Sequence, residues 1–297
     1  MTFTGMHTNT ATAFAPPLAP PAAARKHAAQ PMFLPVYPKG YSAKKINLFN
    51  AISSYAAYLD AVMDDASMDG VAKKMELERA KEILLCYLSE PLVLAPTQLL
   101  HASAGQKLPP RHALHLLQAA TQGIYKKRVV SWSELLALLQ FSAAPIGRMV
   151  LEVHGEAQYA WKFSDPLCMA YAVLRIVGNA RQDFLERQRV YLPDIWLRNA
   201  GAATVMLAAS KTSPELRVVF DQMLDGAAKM LLQAGGLVDA VNTPEGKLYA
   251  SRALAYGGAM LHRLRSEDPL AVEFALPWYL RQGAEIKARW QLMQQKD

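Results

Sequence analysis

Two aspartates four residues apart, Asp60 and Asp64, have the types and spacing in this chain best suited to chemistry. Side chains at that spacing lie on the same side of an α-helix. They close the segment LFNAISSYAAYLDAVMDD, Leu48 to Asp65, where Leu48, Ile52, Tyr55, Leu59 and Val62 make one apolar stripe at helical spacing. The opposite stripe, Ile46, Phe49, Ser53, Ala57, Asp60 and Asp64, also begins apolar. A helix apolar on both sides is normally buried, so Asp60 is expected to border an interior space. Paired carboxylates in such a place repel each other and call for a cation; magnesium bridging to phosphate oxygens is the common answer. The plainer alternative is that Asp64 and Asp65 end a helix near solvent and hold nothing.

Other chemistry-bearing residue types carry less. His112 and His115 sit beside Arg111 and leucines, without a carboxylate partner at metal-ligand spacing, and with His101 they read as surface or core residues. Cys86 and Cys168 lie in separate apolar segments and read as small core residues in a reducing compartment. Gly235-Gly236 reads as a helix stop and Gly257-Gly258 as close helix packing, neither being a phosphate loop. Trp278, Tyr279 and Trp290 read as core or rim aromatics. The net charge of +7 suits an anionic partner: a diphosphate, an acidic membrane surface or nucleic acid. No basic block interleaved with aromatics supports the last, so no nucleic-acid partner is expected.

The elements that must position the aspartates are helices. With 297 residues, 52% hydrophobic and 19% charged, the chain suffices for one large domain or two small ones. No uninterrupted apolar run reaches membrane-spanning length, and no membrane span is expected. Residues 1–32 are Ala/Pro/Thr-rich and read as a disordered tail, leaving 33–297 as an all-α domain. The spacing predicts helices over 43–65, 70–89, 110–124, 133–153, 166–188, 214–234, 246–265 and 269–290. Start signals are Asp69, Ser133, Asp165-Pro166 and Ser213-Pro214. Helices this long and apolar must bury their faces against one another, as a multi-helix bundle.

At this point the Asp60/Asp64 segment resembles the first aspartate-rich helix of the squalene/phytoene synthases, where an alanine- and aromatic-rich helix runs into D-D-x-x-D. Four further blocks resemble that family in the right order, and its hydroxysqualene synthase branch of bacterial hopanoid biosynthesis in particular. Phe33-Leu34-Pro35-Val36 is similar to its Phe-Pro-Val segment, and Lys126-Lys127-Arg128-Val129 to its K-x-R-Y element. Ala144-Pro145-Ile146-Gly147-Arg148-Met149-Val150-Leu151 is similar to N-P-V-G-R-L-V-L, and Arg189-Val190-Tyr191-Leu192-Pro193 to R-[IV]-Y-L-P. The resemblance implies an all-α, isoprenoid-synthase-type bundle around a central cavity. In that family two aspartate-rich motifs on facing helices hold Mg2+, which binds prenyl diphosphates. Departure of diphosphate leaves a carbocation that an apolar, aromatic-lined cavity shields from water.

The second motif departs from the family. Its Q-x-x-N-x-x-x-D-x-x-x-D falls on Ala172, Arg175, Asn179 and Asp183, so only the last position keeps its carboxylate. The spacing of three and four places all four on one helix face. Arg175 would repel a metal but can hold a diphosphate by bidentate hydrogen bonds. Ala57 stands where the family carries an arginine, and one extra residue separates Asp183 from Tyr191.

The resemblance therefore implies a Mg2+-dependent prenyl transferase acting on a farnesyl- or geranylgeranyl-type diphosphate. Asp60 and Asp64 would be the metal ligands, and Asp183 and Tyr191 further catalytic candidates. Arg175, Asn179 and Arg189, with the Ala57 and Ala172 positions, would meet the second diphosphate or the reacting chain. The altered half admits a small non-prenyl acceptor. A cytoplasmic location is expected, with room for peripheral contact with the inner membrane surface. The competing reading is a non-catalytic member serving as an assembly or partner protein. The geometric expectation is that Asp60 and Asp64 face Asn179 and Asp183 across the mouth of one long apolar cavity.

Overall fold

The computed structural model describes residues 41–86, 94–104, 108–271 and 274–294. The expected tail, the Phe33–Val36 block and the end of the helix expected to reach residue 89 lie outside the described residues. The helices are α1 (Ala43–Asp64), α2 (Gly70–Leu84), α3 (Ala95–Ala104), α4 (Arg111–Gly123), α5 (Trp132–Ser142), α6 (Ala144–His154) and α7 (Trp161–Gly178). They continue as α8 (Ala180–Arg187), α9 (Asp194–Asn199), α10 (Pro214–Gln233), α11 (Leu237–Ala240), α12 (Pro244–Ser266) and α13 (Trp278–Gln294). No strand occurs among the described residues, only an isolated parallel bridge between Arg128 and Val190.

Start signals explain several boundaries. Asp69 accepts from the Ala72 amide at the start of α2, and Ser213 accepts from the Leu216 amide at the start of α10. Each satisfies a helix-end donor that would otherwise be orphaned. Two expected starts move. Ser131, not Ser133, caps α5 through the Glu134 amide. α7 begins at Trp161, so Pro166 lies inside it, and Asp165 serves as partner of Arg148, which donates to it at 2.9 and 2.5 Å. The helix expected over 133–153 is two helices, because Pro145 has no amide proton and its ring clashes with the carbonyl four residues back. Trp132–His154 has the length and composition to cross a membrane, yet the break at Ala143 divides it and half of it is buried inside the bundle.

α7 is the central helix. It packs mainly against α6 and α10, and Lys162 and Arg175 are its exposed positions. Leu167 and Tyr171 join one apolar cluster with α1, α2, α4 and α6; Cys168, Val173, Leu174 and Val177 join a second with α5 and α10. Each buried aliphatic side chain contributes about 1.5–3 kcal/mol. On α1 the predicted stripe Leu48, Ile52, Tyr55, Leu59 and Val62 is buried, and the Tyr55 hydroxyl donates to the Ala113 carbonyl at 3.0 Å.

Three smaller expectations are corrected. Cys86 is exposed, at a left-handed φ of 60° just past α2, so it is not a core residue. His112 does have a carboxylate partner, Glu152, 3.2 Å away on α6. Of the Gly257-Gly258 pair in α12, Gly257 packs closely against Leu231, whereas Gly258 has open space.

Candidate active site

α1 ends at Asp64, and its terminal turn is held by Lys73, whose ammonium donates to the Met63 carbonyl at 2.7 Å. The partner surface comes from α7, α8 and the segment after them. The helix expected over 166–188 breaks at Asn179 (φ −105°, ψ 8°), and α8 carries Asp183 in its first turn. α8 stops at Gln188, which adopts the left-handed conformation (φ 51°, ψ 37°). The chain then turns back, and the Arg189 amide donates to the Asp183 carbonyl at 3.0 Å. The next residues run beside the Lys126–Val130 segment. The Val190 amide donates to Lys127 at 2.9 Å, the Asp194 amide to Val129 at 3.0 Å, and Arg128 grips Asp194. The Lys126–Val129 and Arg189–Pro193 segments singled out in the sequence are thus neighbours in space.

This reversal brings Arg187 and Arg189 to one carboxylate. Arg187 Nε donates to Asp64 Oδ2 at 2.6 Å, and Arg189 Nη2 donates to Asp64 Oδ1 at 3.1 Å. Arg187 also donates through Nη1 to Asp183 Oδ1 at 3.0 Å. Arg175 Nη1 lies 3.8 Å from Asp60 Oδ2, a looser ion pair between half-open side chains. Burial pushes the Asp183 carboxyl up from its ordinary range, while Arg175, Arg187 and Arg189 pull it back and Asp64 opposes them. Burial, Arg189 and Lys73 hold the Lys127 ammonium below its usual range. The Arg189 guanidinium stands 5.6 Å over the Tyr191 ring, and its buried Nε has no hydrogen-bond partner among the described residues.

Arg187 brings Asp64 and Asp183 together, but several placements differ from the expected arrangement. Asp60 is 66% exposed. The second stripe of α1 is buried at Phe49 and open at Ala57, Asp60 and Asp64, so the apolar start of that stripe does not carry to its end. Ala172 is buried in the core and offers a substrate no open surface. It therefore does not share an accessible face with Arg175, and the break at Asn179 further separates Arg175 from Asp183. The Tyr191 hydroxyl donates to the Lys126 carbonyl at 3.2 Å, and burial raises its pKa, so it positions the segment and supports Arg189. Asn179 is half-buried at the helix break.

Sequence reasoning missed Arg187, Lys127 and Lys73. The available signal was the Asp183-x-x-x-Arg187 spacing, which puts the two side chains one helical turn apart.

As arranged, the donor set does not fit magnesium. Magnesium takes oxygen ligands in near-octahedral geometry. Both oxygens of Asp64 and one of Asp183 are already bound by guanidinium groups. Ala61 occupies the second position of D-D-x-x-D, and no group of three or more acidic, His or Cys side chains suited to a metal occurs among the described residues. An apolar space of about 90 Å³ lies elsewhere, lined by Leu84, Leu99, Leu108, Ala113 and Met149, and none of the site residues borders it.

Comparisons with known proteins bear on this arrangement. The family model for squalene/phytoene synthase matches residues 43–290. The chain is 36% identical over 164 residues to a hydroxysqualene synthase of Sinorhizobium fredii, a match spanning 55% of this chain and 56% of that protein. It is 29% identical over 251 residues to a hydroxysqualene synthase of Rhodopseudomonas palustris, covering 82% and 85%. Among solved structures it superposes on a dehydrosqualene synthase with a TM-score of 0.73 at 14% identity, over 85% of this chain and 89% of that one. The all-α isoprenoid-synthase fold is thereby shared.

Proposed function

Because this chain belongs to the squalene/phytoene synthase family, we propose that it is a prenyltransferase-type enzyme of isoprenoid biosynthesis that ionises one prenyl diphosphate at the α1–α8 junction. The observation that carries this reading is the gathering of Lys73, Lys127, Arg175, Arg187 and Arg189 around Asp60, Asp64 and Asp183. Asp65 and Glu186 complete the charge balance, and the three guanidinium and two ammonium groups supply the donors that a diphosphate needs.

In the proposed reaction the C–O bond to the diphosphate breaks heterolytically, and both electrons leave with the diphosphate oxygen. Fixed cations aimed at that oxygen lower the barrier by stabilising the charge as it develops. The carbocation left behind is captured by a nucleophile. The relatives in Sinorhizobium fredii and Rhodopseudomonas palustris are named for hydroxysqualene, an alcohol. Water is then the acceptor that fits: it adds to the carbocation and loses a proton, giving the alcohol and free diphosphate. The openness of Asp60 and Arg175 gives water a route to this half of the site. Magnesium is what the family resemblance implies for Asp60 and Asp64, but no step is assigned to it, since guanidinium groups hold the carboxylates.

The test is incubation with farnesyl and geranylgeranyl diphosphates, and with the single diphosphate that remains after two prenyl chains have first coupled, in 18O-labelled water. Diphosphate release with an 18O-labelled alcohol supports the proposal. A symmetrical hydrocarbon from the free prenyl diphosphates, or no diphosphate release from any of the three, overturns it. A peripheral membrane contact belongs to the same proposal, since such substrates are lipids; the surface of α13 that supports it is taken up below.

A further inference from the structure

Resting on the reading of this cleft as a prenyl diphosphate site, we infer that it recognises the diphosphate through guanidinium groups in place of a divalent cation. Arg187 occupies the position between the two facing carboxylates, Asp64 and Asp183, that a bridging ion would take. A planar guanidinium matches phosphate oxygens with two parallel donors, whereas a metal ion needs those carboxylate oxygens for itself.

Three independent features point the same way. The first is the kind of atom left unsatisfied: Arg189 Nε is buried without a partner among the described residues, and it is a donor. A buried orphan donor calls for an acceptor such as a phosphate oxygen, not for a cation. The second is charge. Five cations stand beside five carboxylates here, Asp65 near Lys73 and Glu186 4.0 Å from Arg187 included, so no net negative charge is left over to draw a divalent ion. The third is the loss of carboxylates at Ala61 and Asn179, together with the gain of Arg175, whose loose 3.8 Å contact with Asp60 leaves it half-exposed beside the cleft. A purely structural ion pair would account for Arg187 but not for the orphaned Arg189 Nε.

The experiment is calorimetric titration of the full-length protein with inorganic diphosphate and with a non-hydrolysable prenyl thiodiphosphate, in excess chelator and then in magnesium. The expected result is binding in chelator within about threefold of that in magnesium. A lost charge-assisted hydrogen bond is worth about tenfold or more in affinity. Arg187→Ala should therefore weaken binding by at least that factor, and Arg189→Ala likewise. Arg187→Lys keeps the charge and loses the fork, so it should fall between wild type and Arg187→Ala. Thermal melts of each variant separate lost binding from lost folding, and Arg175→Ala, which removes only a loose surface pair, supplies a variant that folds. Binding seen only with magnesium, or unaffected by every arginine variant, overturns this inference and leaves the proposed function standing. Binding under neither condition overturns both.

Discussion

Arg187 joins the two aspartate-bearing helices by itself, donating from Nε to Asp64 on α1 at 2.6 Å and from Nη1 to Asp183 on α8 at 3.0 Å. The two carboxylates are 119 positions apart in sequence and are held near each other by a cation that the chain itself provides. Asp64 is thereby an anchor for arginines: Arg189 uses its other oxygen, and the left-handed Gln188 between the two arginines lets both reach it.

That role reverses the sign expected for one substitution. In a metal site Asp64→Asn removes a ligand and abolishes diphosphate binding. Here it removes a negative charge beside two guanidinium groups and frees both for the ligand. Deleting a unit charge roughly 6 Å away is worth about 0.7–3 kcal/mol between aqueous and near-surface dielectric values. Affinity for inorganic diphosphate in chelator should therefore rise at least about threefold. The loss of the anchoring pairs should lower stability by about 1–2 kcal/mol, between the exposed and buried extremes. Titration and denaturant midpoints measure the two effects; abolished binding would return Asp64 to a metal-ligand role.

Much of the frame is legible in the sequence because it depends on local rules. The α1 stripe repeats at helical spacing, Asp69 and Ser213 are capping residues at the ends of apolar-periodic segments, and the observed α1 ends one residue from its expected limit. The facing of Asp64 and Asp183 followed from the family resemblance. What stayed hidden depends on non-local geometry. Nothing in the periodicity of α1 distinguishes a stripe that lines an open mouth from one sealed in a core, and the expectation that Asp60 borders an interior space rests on that periodicity alone. Arg187 stands one turn beyond Asp183, but its bond to Asp64 depends on the left-handed turn at Gln188, a conformation that residue type alone does not demand.

Helix packing gives a prediction independent of the site. A Cβ on Gly147 of α6 would lie 2.3 Å from Ser164 Oγ and 2.5 Å from Cys168 Sγ, both buried on α7. Gly147→Ala should cost about 1–3 kcal/mol through overpacking. Gly258 of α12 has nothing within 4 Å of its would-be Cβ, so Gly258→Ala should stabilise by up to about 1 kcal/mol through helix propensity. Thermal denaturation of both variants decides it, and equal shifts would show that the α6–α7 contact is looser than described.

Acid sensitivity should trace to His154. The imidazole is buried among Tyr41, Phe49 and Tyr249 and its pKa is lowered to about 4, by burial first and then by Lys45, with Glu156 and Glu245 pulling the other way. The folded-state value lies below the unfolded one, about 6.5. The unfolded chain therefore binds the proton first, and stability present above about pH 6.5 is lost as pH falls towards 4. The loss should be on the order of 1–3 kcal/mol. His154→Phe keeps the ring packing and removes the proton site, so its stability should decline less over that window. Parallel slopes of stability against pH for the two proteins would assign the acid loss elsewhere.

The last prediction concerns α13. Tyr279, Ile286, Trp290 and Met293 are all exposed, and their spacing places them on one side of the helix. Lys287 and Arg289, the latter paired with Glu285 at 3.1 Å, flank that stripe, while Ala284 and Ala288 on the opposite side are buried near Ala255 and Tyr256 of α12. An apolar stripe with aromatics between basic flanks is the pattern of a helix lying in a membrane interface. Each basic residue near an anionic surface contributes about 1 kcal/mol, and each large apolar side chain buried there about 1.5–3 kcal/mol. The protein should therefore sediment with vesicles rich in phosphatidylglycerol and release from them in high salt. Ile286→Glu together with Trp290→Ala should weaken that binding at least about tenfold, the equivalent of 1.4 kcal/mol. If vesicle binding is unchanged, or if the stripe instead holds two copies together and the double variant only dissociates a dimer, the membrane assignment of α13 fails.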